Sequence, residues 1–300
     1  MNRKNLIQLF ALVACLLCTM SAAAAEAYAC YTSSDSTLMF YYDNLRSSRT
    51  GTTYDMNEGD NRPGWYSART KLKRVVFNSS FASARPTSAY WWFYGMWNVT
   101  SITGLQYLNT SQVTTMRDMF YECRKLKSLD LSHFNTSNVT SMRSMFKYCT
   151  RLTSLDLGSF NTSKVNSMYN MFYDCDYLRT IYVGNDWSTA AVTSSTDMFL
   201  NCSSLVGGQG TTYDANHIDK AYAHIDGGTS NPGYFTAKSA SLLGDVNGDG
   251  HVNITDVTAL IAAVLNDNLS GIIVANSDMN GDGNINITDV TALISLVLNS

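Results

Sequence analysis

Met116 to Ser141 reads MRDMFYECRKLKSLDLSHFNTSNVTS, and the segment that follows, Met142 to Ser167, reads MRSMFKYCTRLTSLDLGSFNTSKVNS. A third copy, MYNMFYDCDYLRTIYVGNDWSTAAVTS from Met168, decays at its end, and DMFLNCSSL from Asp197 begins a fourth. Upstream, LQYLNTSQVT at 105–114 is the second half of an earlier unit. A fixed period of 26 residues marks an array of stacked coils, in which each coil buries its apolar edge only against its neighbours.

Within a copy the chemistry falls into two phases. Met116, Met119, Phe120 and Cys123 stand at i, i+3, i+4 and i+7, the spacing of one face of a short helix. Leu129 and Leu131 then alternate with Asp130, as a short half-buried strand would. Phe134 leads into Asn135-Thr136-Ser137, a turn tripeptide repeated at Asn109 and Asn161, whose side chains can satisfy backbone groups at a bend. The expected fold is therefore an α/β solenoid of short strand plus short helix coils over 94–206. Residues 26–93 precede it as a cap region, and 207–237 close it. Residues 87–97, TSAYWWFYGMW, are strongly aromatic; they read as part of that cap, or as a surface that stacks on sugars or a protein.

The flanks speak to location. Arg3 and Lys4, an apolar stretch from Leu6 to Met20 and the small residues Ser21 to Ala25 have the layout of a cleaved secretory signal over 1–25. About 15 apolar residues are too few for a span, which needs roughly 20, so no transmembrane segment is expected in the mature chain. Leu12-Val13-Ala14-Cys15 also offers a lipoprotein cleavage box as a lesser alternative. Beyond the signal remain Cys30, Cys123, Cys149, Cys175 and Cys202, an odd number that argues against a disulfide framework. One Cys per coil at a core phase reads as a small buried apolar residue.

Formal net charge is -3, but it is unevenly placed: after Lys238 there are Asp residues and no Lys, Arg or Glu. That tail seeks cations, and the chain shows no footprint for nucleic acid. It contains DVNGDGHVNITDVTALIAAVLN from Asp245 and DMNGDGNINITDVTALISLVLN from Asp278. A calcium loop of twelve needs oxygen donors at positions 1, 3, 5, 7, 9 and 12. The first copy offers Asp245, Asn247, Asp249, the backbone carbonyl of His251, Asn253 and Asp256; the second offers Asp278, Asn280, Asp282, the carbonyl of Asn284, Asn286 and Asp289. Gly250 and Gly283 occupy position six, where the chain must turn sharply. Two Ca2+ ions are thus expected. The apolar positions after each loop fit an exiting helix, so 245–300 is expected to be a small all-α module behind a linker at 238–244.

Two resemblances follow from these residues. The run M-x-x-M-F-x-x-C-x-x-L with a following L-x-L and F-N-T-S resembles the bacterial surface leucine-rich repeat family called BspA-like, and Gly207 to Phe235 is similar to that family's usual end. Phe134 and Phe160 stand where ordinary leucine-rich repeats carry their asparagine, so an aromatic spine replaces the asparagine ladder. The resemblance implies an exported adhesin or surface interaction protein with a protein or glycan ligand. Loop plus exiting helix, twice, with Asp at position twelve, resembles a type I dockerin. That implies attachment to a cohesin-like or other surface scaffold partner through loop positions ten and eleven, Ile254-Thr255 and Ile287-Thr288. Ile departs from the more usual polar residue there.

A search for catalysis returns little: no H-E-x-x-H, no G-x-S-x-G and no phosphate-cradling glycine loop. His217 and His224, near Asp219 and Asp226, read as part of the closing segment, and Asp130 with Asp156 as a solvated ladder on adjacent coils. The expectation is a binding protein and not an enzyme. The competing expectation is an accessory or enzyme of an extracellular polysaccharide-degrading assembly.

Overall fold

The computed structural model describes residues 24–238, 242–248 and 251–299. The signal segment with Cys15, loop positions Asp249 and Gly250, and the centre of the linker lie outside them. The chain divides into two compact units, one ending at Thr236 and one beginning at Ala237.

The first unit opens with a five-stranded sheet in the order β3-β1-β2-β4-β5, formed by β1 (Glu26–Thr32), β2 (Thr37–Asp43), β3 (Thr52–Asp55), β4 (Arg74–Phe77) and β5 (Ser101–Thr103). β1 runs antiparallel to β2 and β3, while β2, β4 and β5 are parallel. Leu38, Phe40, Val75 and Phe77 point inward and meet Trp65, Phe81, Trp92 and Phe93 in an aromatic core. The two buried indoles are satisfied: Trp65 Nε1 donates to the Trp92 carbonyl and Trp92 Nε1 to Asn57 Oδ1, both at 2.7 Å. After β5 the backbone passes so close to Phe77 that only glycine fits. A Cβ on Gly104, whose φ is +77°, would lie 2.3 Å from the Phe77 carbonyl oxygen.

From Ser88 onward the repeats stack through parallel bridges that link Ser88, Thr115, Ser141, Ser167 and Ser194 in turn. The expected apolar face is buried without exception: Met116, Met119, Phe120 and Cys123 and their equivalents are fully inside. The element that carries it is not a helix. Asp118 and Glu122, Ser144 and Tyr148, Asn170 and Asp174, and Asp197 and Asn201 all have φ between +51° and +63°. A left-handed residue at every fourth position cannot sit in an α-helix. Alternate amides therefore close local turns and reach across to the next coil. Met119, Tyr121 and Cys123 donate three residues back, whereas Asp118, Phe120 and Glu122 donate to the carbonyls of Arg143, Met145 and Lys147 at 2.8, 2.9 and 2.8 Å.

These findings correct the expected architecture. Among the described residues there are three α-helices, all in the second unit, and the first unit is built of two sheets, bridges, turns and six 3-10 helices of three to five residues. It is not an α/β solenoid of helix-and-strand coils. The second sheet is small, β6 (Ser154–Leu157), β7 (Thr180–Val183) and β8 (Phe235–Ala237), and the equivalent stretch around Leu129 forms no strand.

Side-chain columns run through the stack. Phe120, Phe146, Phe172 and Phe199 lie face to face with centroids 5.5 to 5.7 Å apart and planes within 9°. Phe134 and Phe160 stack at 6.4 Å. Each such buried side chain contributes roughly 1.5 to 3 kcal/mol. Beside them Cys123, Cys149, Cys175 and Cys202 donate to the carbonyls of Phe93, Phe120, Phe146 and Phe172, 3.0 to 3.3 Å away, and burial pushes every one of these thiols up. At the turn tripeptides Thr110 and Thr136 donate to the carbonyls of Asn135 and Asn161 at 2.9 Å, while Asn109, Asn135 and Asn161 accept from the serine two residues on.

The second unit holds α1 (Ile254–Leu265), α2 (Val274–Ser277) and α3 (Ile287–Leu298) around a core of Val246, Val257, Leu260, Val290 and Leu293. Helices make up fewer than half of its described residues, most of the others being loop, so the expected all-α module is corrected as well.

Candidate calcium loops

Each long helix begins inside the motif that precedes it. Asn253 and Asn286, position nine of the two loops, have extended backbones and accept from the amides of Thr255 and Thr288 at 2.8 Å, as N-caps do. Asp256 and Asp289, position twelve, are the third helical residues, and their side chains accept from the Asn253 and Asn286 amides at 2.9 Å. Both capping boxes are complete. The closing carboxylate of each loop is thus fully buried and rigid before any cation is considered. Sequence reasoning missed this double use, although N-I-T-D before an apolar run is a capping signature.

The remaining oxygens gather through the loop's own amides. In the first loop Asp245, fully buried, accepts from Gly248 at 2.8 Å, and the other oxygen of Asp256 accepts from Asn247 at 3.0 Å. His251 is exposed. In the second loop Asp278 accepts from Gly281, Asp282 and Gly283, and Asp289 from Met279 at 2.8 Å. Asp282 accepts from the Asn284 amide, which holds its carboxyl below the usual range, and from the Asn280 side chain at 3.0 Å. Gly283 has φ +82° with open space where a Cβ would be.

The donor set fits a hard cation. It consists of carboxylate, amide and backbone oxygens with no thiolate, and a carboxylate oxygen that accepts one N–H keeps a lone pair for a metal. Hydrogen bonds, some through the Thr255 and Thr288 hydroxyls, link Asn247, Asn253 and Asp256 in the first loop, and Asp278, Asn280, Asp282, Asn284, Asn286 and Asp289 in the second. Among the described residues no three His, Cys, Asp or Glu side chains converge into a cage.

Ile254 and Ile287 are each 64% exposed at the first turn of their helices. Thr255 and Thr288 are exposed too, but their hydroxyls are wired into the loops. Each donates to its capping Asn and accepts from Asn247 or Asn280. Farther along, the apolar spacing of each helix places Leu265 and Leu298 on the face packed between the helices, but each is 79% exposed. The two histidines of the closing segment have structural partners: His217 Nδ1 lies 2.9 Å from Asp214 and its ring stacks on Tyr222, while His224 Nδ1 lies 2.9 Å from the Ile225 carbonyl.

Two loops that each open directly onto a helix, with no helix among the described residues entering the first, define a duplicated cation-loop module of the docking class. Residues 243–298 match the family model of the dockerin type I domain, and residues 87–211 match a family described as "Mycoplasma protein of unknown function, DUF285". No curated protein and no solved structure matches the chain. Dockerin type I domains bind calcium, dock onto cohesins and act outside the cell or at its surface. No helix of the described residues is long and apolar enough to cross a membrane.

Proposed function

We propose that this chain is an extracellular binding protein in two parts, with no catalytic role. The repeat unit holds a protein or glycan partner on its surface, and the C-terminal unit attaches the chain, in a calcium-dependent way, to a cohesin-like scaffold. The observation that carries this reading is the pair of matched loops, each closed by a buried aspartate that also caps the following helix.

Two Ca2+ ions are assigned. Asp245, Asn247, Asp249, Asn253, Asp256 and the His251 carbonyl hold one; Asp278, Asn280, Asp282, Asn286, Asp289 and the Asn284 carbonyl hold the other. The bound cation would supply the charge that keeps each loop's carboxylates together. Ile254, Thr255, Ile287 and Thr288 form two nearly identical partner faces. The BspA-like resemblance of the repeats, the secretory leader at 1–25 and the lack of a catalytic constellation support the adhesive side of the reading.

The test is capture of the full chain on an immobilised type I cohesin, with calcium and with chelator. Retention is expected in calcium, with loss in chelator and in the Asp245→Ala, Asp278→Ala double variant. Retention indifferent to chelator, or no calcium-induced change in circular dichroism, overturns the reading.

A further inference from the structure

One face of the repeat unit carries a band of mostly half-buried rings: Tyr66, Trp91, Tyr94, Tyr121, Tyr148 and Tyr173. Trp91 and Tyr94 stack at 4.1 Å, Tyr94 and Tyr121 at 4.4 Å, and Tyr148 meets Tyr121 and Tyr173 edge to face at 5.6 Å. Cations cover further ring faces. Arg69 lies 3.8 Å and Arg62 4.9 Å over Tyr66, and Lys147 Nζ lies 4.0 Å over Tyr173. A ring whose negative faces are covered offers a ligand its positive edge.

Two of these rings are held against backbone preference. Trp91 and Tyr148 have φ +60° and +62°, in columns whose other left-handed members are mostly Asp, Asn, Ser or Gly. Bulky side chains are strained there, and such strain clusters at functional positions. The core does not require them, because both rings stay partly exposed.

The charges on this face are unequal in availability. Asp118 accepts from Trp91 Nε1 and lies 3.3 Å from Arg117 Nε; Asp60 also pairs with Arg117, and Glu122 pairs with Arg124. Arg62, Arg69, Arg143 and Lys147 form no ion pair among the described residues. On the Lys147 side the patch is bounded by the negative charge of Asp174 and Asp197, which act on the Lys147 ammonium as Asp118 does.

We propose that this band docks an acidic segment of a protein partner, seated over Arg62 to Lys147, an inference that rests on the repeat unit being the binding part. A sugar lies flat on an open aromatic face, and these faces are already covered. Rigid Tyr, Trp and Arg anchors are instead the composition of protein–protein hot spots.

The experiment is fluorescence anisotropy of a labelled oligo-glutamate peptide with the full chain in calcium. Saturable binding that weakens with salt is expected. Arg62→Ala with Lys147→Ala should weaken it by about ten-fold or more, whereas Lys127→Ala with Lys164→Ala, the same charge change elsewhere, should not. Tyr148→Asn should weaken binding without lowering the melting temperature, because Asn accepts the left-handed backbone. No peptide binding, equal loss in the control pair, or tighter binding of polygalacturonate than of peptide overturns the proposal. The immobilised chain is also incubated with extracellular proteins of the source organism. Capture that survives the band substitutions moves the site but leaves the binding role; no capture by the parent chain removes both.

Discussion

Asp226 lies buried in the closing segment, and its two oxygens accept from the amides of Gln209, Thr211 and Gly228 and from the Thr211 hydroxyl, at 2.7 to 3.0 Å. Although burial opposes its charge, these donors prevail and hold the carboxyl far below the usual range. Asp226→Asn points an NH2 at those donors and should cost on the order of 2 kcal/mol in urea denaturation at pH 7. A depressed native pKa means that this stabilisation is complete above the unfolded value of about 3.9 and fades as pH falls toward the native one. The parent should therefore lose stability below about pH 4 more steeply than the variant, and equal slopes would refute the assignment. The thiols give a second residue-scale expectation: Cys123, Cys149, Cys175 and Cys202 should resist a thiol reagent until the chain unfolds. Their burial was legible from one Cys per coil at a core phase. Their bonds to Phe carbonyls were not, since each acceptor belongs to the preceding coil.

The elements show where reading by period stops. An i, i+3, i+4, i+7 apolar pattern has the same inward face whether the backbone is a helix or a run of turns, so Met116 to Cys123 was correctly buried and wrongly built. The distinguishing signal was the Asp118, Ser144, Asn170, Asp197 column, residue types suited to left-handed backbone. In the second unit the helices were legible from the apolar spacing after each loop, whereas the caps went unread because ligand spacing and capping spacing coincide at Asn286 and Asp289. Asn286→Ala removes the cap of α3 and should lower the stability of that unit by about 1 kcal/mol, read as a loss of far-UV helical signal at lower temperature. Phe146→Ala opens a gap in the ring column and should cost about 3 to 5 kcal/mol in the first unit, seen in near-UV melting. A fall of much less would mean that the column repacks.

At the scale of the whole molecule, two compact units with separate cores predict two unfolding transitions. The core of the second unit is small, so its stability should depend on bound cation. Calorimetry should show chelator lowering one transition and leaving the other in place; movement of both would contradict independent cores. The five-stranded sheet at the start was legible only as alternating patches, because its order depends on β2 pairing with β4 past β3, which returns to pair with β1.

The amides that cross from Asp118, Phe120 and Glu122 to the following coil are matched position for position at Ser144, Phe146 and Tyr148, which reach on to Tyr169, Met171 and Tyr173. Each rung therefore presents the next with the same docking edge it received. Excising 142–167 should leave Phe120 over Phe172 and Cys123 beside Cys175, and the shortened protein should still fold cooperatively. Such a chain can gain or lose whole rungs while keeping both ends of the stack intact, so the length of its repeat unit is a heritable quantity.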